Sequence, residues 1–210
     1  MKRFKNIFVV VILMCIISVL AAGCGRSDQQ AAKKTDKDEI TITDSTGKKI
    51  VLSERLDKVV VLNPPAAEVL RTLQIPEKSI VGVADSIQKS PYLGFGSIES
   101  VGSSSTPNIE KIVELKPEAV ITQGKWLSGL DEFRAKLEPL GIKVIALDVH
   151  QIDKFDGCMK SLATVFGKEK RAAEFLKWKS EQEKRLPDRL KGLKKEDKKK
   201  VNQIYGNKLA

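Results

Sequence analysis

Apolar runs that look like β-strands alternate with amphipathic helical patterns through the middle of this sequence. Four such runs are short, rich in valine and isoleucine, and nearly free of charge at their centres, at 58–62, 79–84, 118–122 and 142–147. Strands of this kind are buried on both faces of a parallel sheet. A helical stripe that begins at Pro64 follows the first run, and similar stripes separate the others. The alternation predicts an α/β layer with a parallel sheet and right-handed crossovers.

The predicted layer has further elements on either side. Two alternating runs at 39–43 and 49–52 flank a turn with Gly47 and predict a β-hairpin. After the last strand, one helical stripe ends at Gly167 and a longer helix follows, which Pro187 is expected to break or kink. The segment 200–205 (KVNQIY) predicts one more strand.

The first residues have the pattern of an export signal. Three cationic residues at 2, 3 and 5 precede an uncharged stretch at 7–20, which is shorter than the roughly 20 residues of a membrane-spanning helix. The sequence Leu-Ala-Ala-Gly-Cys then resembles the bacterial and archaeal lipobox, which implies that Cys24 is lipidated after removal of 1–23. An uncleaved anchor is the alternative, and both interpretations place the rest of the chain outside the cytoplasm. The polar segment 24–38 reads as a flexible tether on the outer face of the membrane.

Net charge and cysteine usage narrow the class of protein. The chain has a formal charge of +10, much of it in the segment 177–200. Because that segment reads as a helix with Trp178 as its one aromatic residue, a solvated face attracted to anionic lipid is favoured over nucleic-acid binding. Cys158 remains alone, because Cys15 is removed with the signal and Cys24 is lipidated, so no disulfide framework is expected. One histidine and three cysteines do not make a structural zinc site of the usual kind.

Several stretches, in their order and spacing, resemble a known family. These are ITITDSTGKKIVL, KVVVLNPPAAEVLRTL, IVGVADS, VGSSSTPNIEKIVELKPEAVIT and LEPLGIKVIALD. They resemble the substrate-binding lipoproteins of ABC importers for iron–siderophore, haem and cobalamin, the binding proteins whose two lobes are joined by one long helix. The resemblance implies an N-terminal α/β lobe at 39–153, a hinge-helix region at 154–192 with its helix at about 155–190, and the first strand of a truncated second lobe at 193–210.

The position of a ligand site follows from the parallel sheet alone. In open α/β sheets, ligands lie outside the carboxyl ends of the strands, which selects the loops 63–67, 85–105, 123–128 and 148–153. The same loops face the cleft between lobes in the resembled family. We therefore predict a set of cleft residues: Asn63, Pro64, Tyr92, Ser103, Ser104, Lys125, Trp126 and His150.

Each of these residues also has an ordinary structural interpretation. Trp126 and Tyr92 offer flat faces to a chelate or macrocycle, but they also suit loop packing. The serines can bond to ligand oxygens or form turns, together with Ser105, ahead of a helix that is expected to start at Thr106 and Pro107. Lys125 can hold an anionic ferric complex or lie in solvent. His150 can contact ligand or be a plain loop residue, and with only Asp148 and Asp153 nearby it is a weak metal ligand, so no metal site is predicted.

Glu110 is predicted to point into solvent from the first turn of its helix. A carboxylate there complements the helix dipole. The resemblance implies a second role, because the glutamate at this motif position in the family docks into an arginine pocket of the membrane permease. Glu68 is a second, weaker candidate for the same role.

These observations predict a lipid-anchored lobe that captures an iron chelate or cobalamin and delivers it to an ABC permease. No cofactor and no catalytic arrangement are expected, because the sole histidine has no serine or cysteine in a recognisable motif. With one lobe absent, the 210-residue product is expected to bind its ligand weakly or not at all. The alternatives are a binding protein for an oxyanion or organic solute, an extracellular interaction or signalling lobe without transport, and a secreted α/β enzyme.

Overall fold

The computed structural model describes residues 39–124, 127 and 129–194. The predictions for the signal peptide, Cys24, the tether, Lys125, Trp126 and the strand at 200–205 lie outside these residues. Within the described ranges, no helix combines the length and the apolarity needed to cross a bilayer.

The first two strands of the described residues form a hairpin. Strand β1 (Ile40–Thr43) pairs antiparallel with β2 (Lys49–Leu52), and Ile42 lies opposite Ile50. Both isoleucines are buried, whereas their neighbours along each strand are exposed. This alternation lets one face of the hairpin join the core while the other faces solvent. The predicted hairpin is confirmed.

A four-stranded parallel sheet forms the centre of the fold. Its strands are β3 (Val59–Val61), β4 (Ile80–Val83), β5 (Ala119–Thr122) and β6 (Lys143–Ala146), arranged in the order β4-β3-β5-β6. All residues of β3 and β5 are buried, as expected for inner strands covered on both faces. The α/β architecture predicted from the alternation of strands and helices is confirmed.

Helices and helical turns connect the strands, and their apolar sides cover the sheet. The four helices of this layer are α1 (Pro64–Thr72), α2 (Asp85–Gln88), α3 (Ile109–Glu114) and α4 (Leu130–Leu137). Three-residue 3₁₀ turns at Glu77–Ser79 and Glu138–Leu140 complete the connections. Helix α1 buries Ala66, Ala67, Val69 and Leu70, all at most 2% exposed. The core therefore lies between the sheet and these helices.

The predicted start of helix α3 is wrong by two residues. Asn108 caps the helix, because its side-chain oxygen accepts a hydrogen bond from the Lys111 amide at 3.0 Å. Pro107 instead forms an isolated antiparallel bridge with Gly102. Asn108 takes the capping position predicted for Thr106, because its side-chain oxygen can accept a hydrogen bond from the third N–H of the helix. Thr106 thus belongs to the preceding loop.

Within the described residues two helices follow the sheet, as the apolar stripe that ends at Gly167 predicted, whereas the resemblance implied one long hinge helix. Helix α5 (Ile152–Phe166) ends at Gly167, whose φ of 65° is left-handed, and α6 (Glu169–Leu190) begins directly afterwards. A glycine in this conformation ends a helix because it carries no Cβ. Pro187 lies inside α6 and does not end it. Residues around Pro187 are exposed, so the carbonyl that loses its N–H partner can bond to water.

A buried ion pair attaches the hairpin to the parallel sheet. The Asp44 carboxylate accepts a hydrogen bond from Arg134 Nη2 at 2.5 Å, and both residues are less than 10% exposed. The other carboxylate oxygen accepts from the Thr46 amide at 2.9 Å and the Lys48 amide at 3.0 Å. Because α4 carries Arg134, this one carboxylate joins the hairpin turn to the helix that precedes β6.

Replacing Asp44 with alanine should cost about 3–5 kcal/mol of unfolding free energy, because it leaves the Arg134 guanidinium buried without its counter-ion. Urea unfolding monitored by circular dichroism measures the change. Lys48→Ala is the matched control, since it removes the half-exposed Lys48–Glu138 pair from the same turn and should cost about 0–1 kcal/mol. Equal losses in the two variants would contradict the assignment.

Candidate functional site

The carboxyl ends of the parallel strands meet along one edge of the sheet, and hydrogen bonds continue past the strands themselves. The Leu62 amide donates to Ile121 O at 2.8 Å, and the Leu147 amide donates to Thr122 O at 2.8 Å. The Ala84 amide donates to Val61 O at 3.0 Å. These bonds fix where each following loop begins. We call this side of the sheet the carboxyl edge.

A cavity of about 520 Å³ lies at the carboxyl edge. Residues from the loops after all four parallel strands line it. Among the predicted cleft residues, the structure brings together Pro64, Ser103, Ser104 and His150. Its volume falls within the roughly 300–1,000 Å³ typical of sites for small molecules.

Seven further lining residues were not among the predicted cleft residues. They are Leu62, Pro65, Asp85, Ser86, Ser105, Thr122 and Gln123. A signal for three of them was present in the sequence, since Asp85, Ser86 and Gln123 immediately follow predicted strands. The strand-end rule selects such positions by location, and the prediction named their loops but chose other residues within them.

The serine loop combines the two roles considered for it. Ser103 Oγ accepts a hydrogen bond from the Ser105 amide at 3.3 Å and lies 3.1 Å from Ser105 Oγ, which is local turn chemistry. Ser104 Oγ lies 3.4 Å from Ser86 Oγ, in the short helix α2. This contact joins α2, which follows β4, to the loop that precedes α3, on one side of the cavity. Their hydroxyl groups remain able to bond to ligand oxygens.

His150 lies on the opposite flank, beside Gln123. The Gln123 Nε2 atom is 2.6 Å from His150 Nδ1. Gln123 is buried and His150 is exposed, so the amide contacts the imidazole from the protein interior. If the amide donates, the ring nitrogen Nδ1 accepts and the proton of the neutral imidazole lies on Nε2. The pair can therefore present a fixed hydrogen-bonding edge to a ligand.

Asn63 lies at the carboxyl edge but not in the cavity lining. Its amide donates to Leu147 O at 2.7 Å and its oxygen accepts from the Ala66 amide at 3.4 Å. Since β5 lies between β3 and β6, this buried side chain spans the end of β5 and also caps α1. These interactions are structural. The position of Asn63 directly after a strand did not predict such a role.

Tyr92 does not line the cavity either. Its side chain is 87% exposed, and its carbonyl oxygen accepts a hydrogen bond from Arg71 Nη1 at 2.5 Å. The contact holds the loop against α1 by its backbone and leaves the ring in solvent. Lys125 and Trp126 follow Gln123 and Gly124 in the chain and lie outside the described residues, so their role in the cleft stays a prediction.

The two aspartates near His150 do not form a site with it. Asp148 pairs with Lys154, whose ammonium lies 2.9 Å from Asp148 Oδ2. This hydrogen bond to Asp148 raises the pKa of Lys154. Asp153 lies in the first turn of α5. Among the described residues, no group of three or more histidine, cysteine or acidic side chains is placed to hold a metal ion.

Glu110 and Glu68 are both exposed, but only Glu110 lies in the first turn of its helix, whereas Glu68 lies in the middle of α1. In a parallel α/β layer each helix runs back against its strands, so the amino end of α3 lies at the carboxyl edge. Glu110 is thus at the carboxyl edge, and neither carboxylate lines the cavity. Docking to a permease remains a prediction for both.

Cys158 is a buried thiol behind the hairpin turn. Its sulfur lies 3.6 Å from Ser45 Oγ. Burial raises the pKa of the Cys158 thiol above its ordinary value of 9.0, because a thiolate would lose its hydration. The folded state therefore favours the protonated thiol, which is a poor nucleophile.

Iodoacetamide at pH 8 should alkylate Cys158 slowly in the native protein and rapidly in urea, as followed by mass spectrometry of the peptide that contains it.

The pKa of the Cys158 thiol is higher in the folded state than in the unfolded state. The contribution of this thiol to stability is therefore complete below the unfolded pKa and is lost as the pH rises through the folded value. The free energy of unfolding should therefore fall above about pH 9. Cys158→Ala should lack this decrease, and an identical pH profile in both proteins would contradict the account.

Together, the parallel sheet and its cavity define an open α/β domain with room for a small ligand at the carboxyl edge. The sequence matches the periplasmic binding protein family over residues 59–204, and the chain belongs to that family. The resemblance noted from the sequence is thereby confirmed.

Relatives of known name support this assignment. The ABC transporter substrate-binding lipoprotein YvrC of Bacillus subtilis is 28% identical over 210 residues, covering 96% of this chain and 63% of YvrC. The Fe(3+)-citrate-binding protein YfmC of the same organism is 32% identical over 149 residues, covering 66% of this chain and 45% of YfmC. The chain thus spans about half to two thirds of the length of these relatives.

A solved structure gives the same fold. The iron uptake ABC transporter substrate-binding protein PiuA from Streptococcus pneumoniae superposes with a TM-score of 0.62 at 24% identity, over 74% of this chain and 55% of PiuA. At this identity the match supports a shared fold and nothing further. The α/β layer described above is therefore that of periplasmic binding proteins.

Proposed function

We propose that this chain is a solute-binding lipoprotein of an ABC importer and captures a chelated iron compound. The observation that carries the proposal is the cavity to which the loops after all four parallel strands contribute. Affinity in such a site comes from desolvated apolar walls, and specificity comes from a few polar groups. Leu62, Pro64 and Pro65 supply apolar surface, while the serine hydroxyls and the Gln123–His150 pair supply hydrogen bonds.

Iron chelates are the favoured ligand class because one of the named relatives, YfmC, is a Fe(3+)-citrate-binding protein. It is 32% identical to this chain over 149 residues. Cobalamin is kept in the same class, as implied by the resemblance of the sequence motifs. No chemistry on the ligand is proposed.

Cys24 is proposed to carry the lipid that holds the protein on the outer face of the membrane. The names of the lipoprotein relatives support this part of the proposal. An acyl chain contributes about 0.8 kcal/mol per buried CH₂, so a multiply acylated cysteine keeps the protein near its permease. Glu110, at the carboxyl edge, and Glu68, in the middle of α1, are proposed to contact that permease.

Filling the cavity should weaken chelate binding. Ser104→Phe is expected to weaken binding at least tenfold, because the ring occupies space at the cavity wall. Isothermal titration calorimetry with ferric citrate, ferric siderophores and cyanocobalamin, extended to millimolar ligand, measures the affinity. Ser53→Phe is the matched control, since Ser53 lines a separate depression at the amino ends of the strands.

Equal binding by the Ser104→Phe and Ser53→Phe variants would contradict this location for the site. Binding of molybdate or another oxyanion, with no binding of any iron chelate or cobalamin, would contradict the proposed ligand class. It would favour the alternative of an oxyanion-binding protein.

Removing the charge of Glu110 should separate docking from ligand capture. Glu110→Gln is expected to reduce co-purification with the importer permease several-fold, because a carboxylate–arginine contact loses its ionic component. Ligand affinity should stay unchanged, since Glu110 does not line the cavity. Glu114→Gln, on the same short helix and also exposed, is the control and should behave as the unsubstituted protein. An equal loss in both variants would argue against specific docking through Glu110.

A further inference from the structure

The described wall of the cavity carries a negative formal charge and no positive one. Among the described lining residues, Asp85 carries the one formal charge, and neither lysine nor arginine is present. The remaining polar groups are serine and threonine hydroxyls, one amide and one imidazole. The described wall therefore combines groups that can both donate and accept hydrogen bonds with one negative formal charge.

Asp85 is held in a fixed position at the junction of β4 and α2. One carboxylate oxygen, Oδ1, accepts a short hydrogen bond from Ser100 Oγ, and the Asp85 amide donates to Gly102 O at 2.8 Å. The second oxygen, Oδ2, has no hydrogen-bond partner within the described part of the chain. Because the residue is half-buried and lines the cavity, this oxygen is available to a bound molecule.

A carboxylate at such a wall discriminates between ligands by charge. A bound chelate displaces water from the cavity, and the lower dielectric strengthens every remaining electrostatic interaction. An anionic group placed beside Asp85 would be repelled and would lose its hydration. An ammonium or amide N–H group would instead form a charge-assisted hydrogen bond. Complementarity of this kind sets specificity more than total affinity.

We infer that Asp85 receives a cationic or hydrogen-bond-donating group of the ligand, so that this lobe prefers ferric chelates carrying an ammonium group to anionic ones. The inference rests on the proposed function, since it assigns a ligand class to the same cavity. It runs opposite to the role considered for Lys125, which would favour an anionic complex.

A pair of chelates that differ by one charge tests the inference. Ferrioxamine B carries a free ammonium group, and its N-acetylated derivative has the same iron-binding core without that charge. With the full chain in detergent micelles, ferrioxamine B is expected to bind about tenfold more tightly than the acetylated form, the size of one hydrogen bond to a charged group. Asp85→Asn should reduce the difference to less than twofold.

The Ser100→Ala variant controls for the structural part that Asp85 plays. It removes the hydroxyl that donates to Asp85 but leaves the carboxylate, so the preference for ferrioxamine B should persist. Equal binding of the two chelates, a preference that survives Asp85→Asn, or tighter binding of ferric citrate than of ferrioxamine B would overturn the inference. In each of those cases the binding itself would still support the proposed function, whereas no binding of any chelate would count against both.

Discussion

The parallel alignment of four strands is the constraint on which the rest of this structure depends. Because every strand runs the same way, every loop that follows a strand emerges at the carboxyl edge, and every helix returns to the opposite edge. The inner strands β3 and β5 are wholly buried, so their register is fixed by packing on both faces. Hydrogen bonds beyond the strand ends, and the Asn63 side chain across the end of β5, hold the loops in place.

Attachment of the hairpin reinforces the same edge. The Asp44–Arg134 pair joins the turn between β1 and β2 to α4, and the Ser45 amide donates to Ala146 O at 2.8 Å, at the end of β6. A buried ion pair has a large desolvation cost, so its value lies in fixing one arrangement as much as in added stability. Here it places the turn beside the loop that carries His150. A polar interaction far from the cavity in sequence thus helps to shape the cavity.

The sequence predicted the layer and the edge more closely than the individual contacts. Apolar runs such as 58–62 and 118–122 permit little besides buried strands, and the strand-end rule then located the loops that line the cavity. Side-chain roles were less predictable because they depend on neighbours distant in the chain. Asn63 bonds to Leu147, and Tyr92 is held by its backbone through Arg71, so neither reaches the cavity. Asp85 and Gln123 line the cavity because they come just after parallel strands. Their residue types alone did not predict that they would line it. The resemblance to a family with one hinge helix did not show that this region is divided at Gly167 into α5 and α6, whereas the apolar stripe that ends at Gly167 in the sequence did predict it.

Ferric iron is paramagnetic and broadens the NMR signals of nearby amides, which offers the most direct test of the central claim that the carboxyl edge binds an iron chelate. Addition of a ferric chelate to ¹⁵N-labelled protein should broaden the amide signals of Ser86, Ser104, Gln123 and His150. The signals of Val51, Arg55 and Lys143, at the amino ends of the strands, should remain sharp, and the gallium chelate should shift the first set without broadening it. Broadening centred on the second set, or spread evenly over both, would contradict the account.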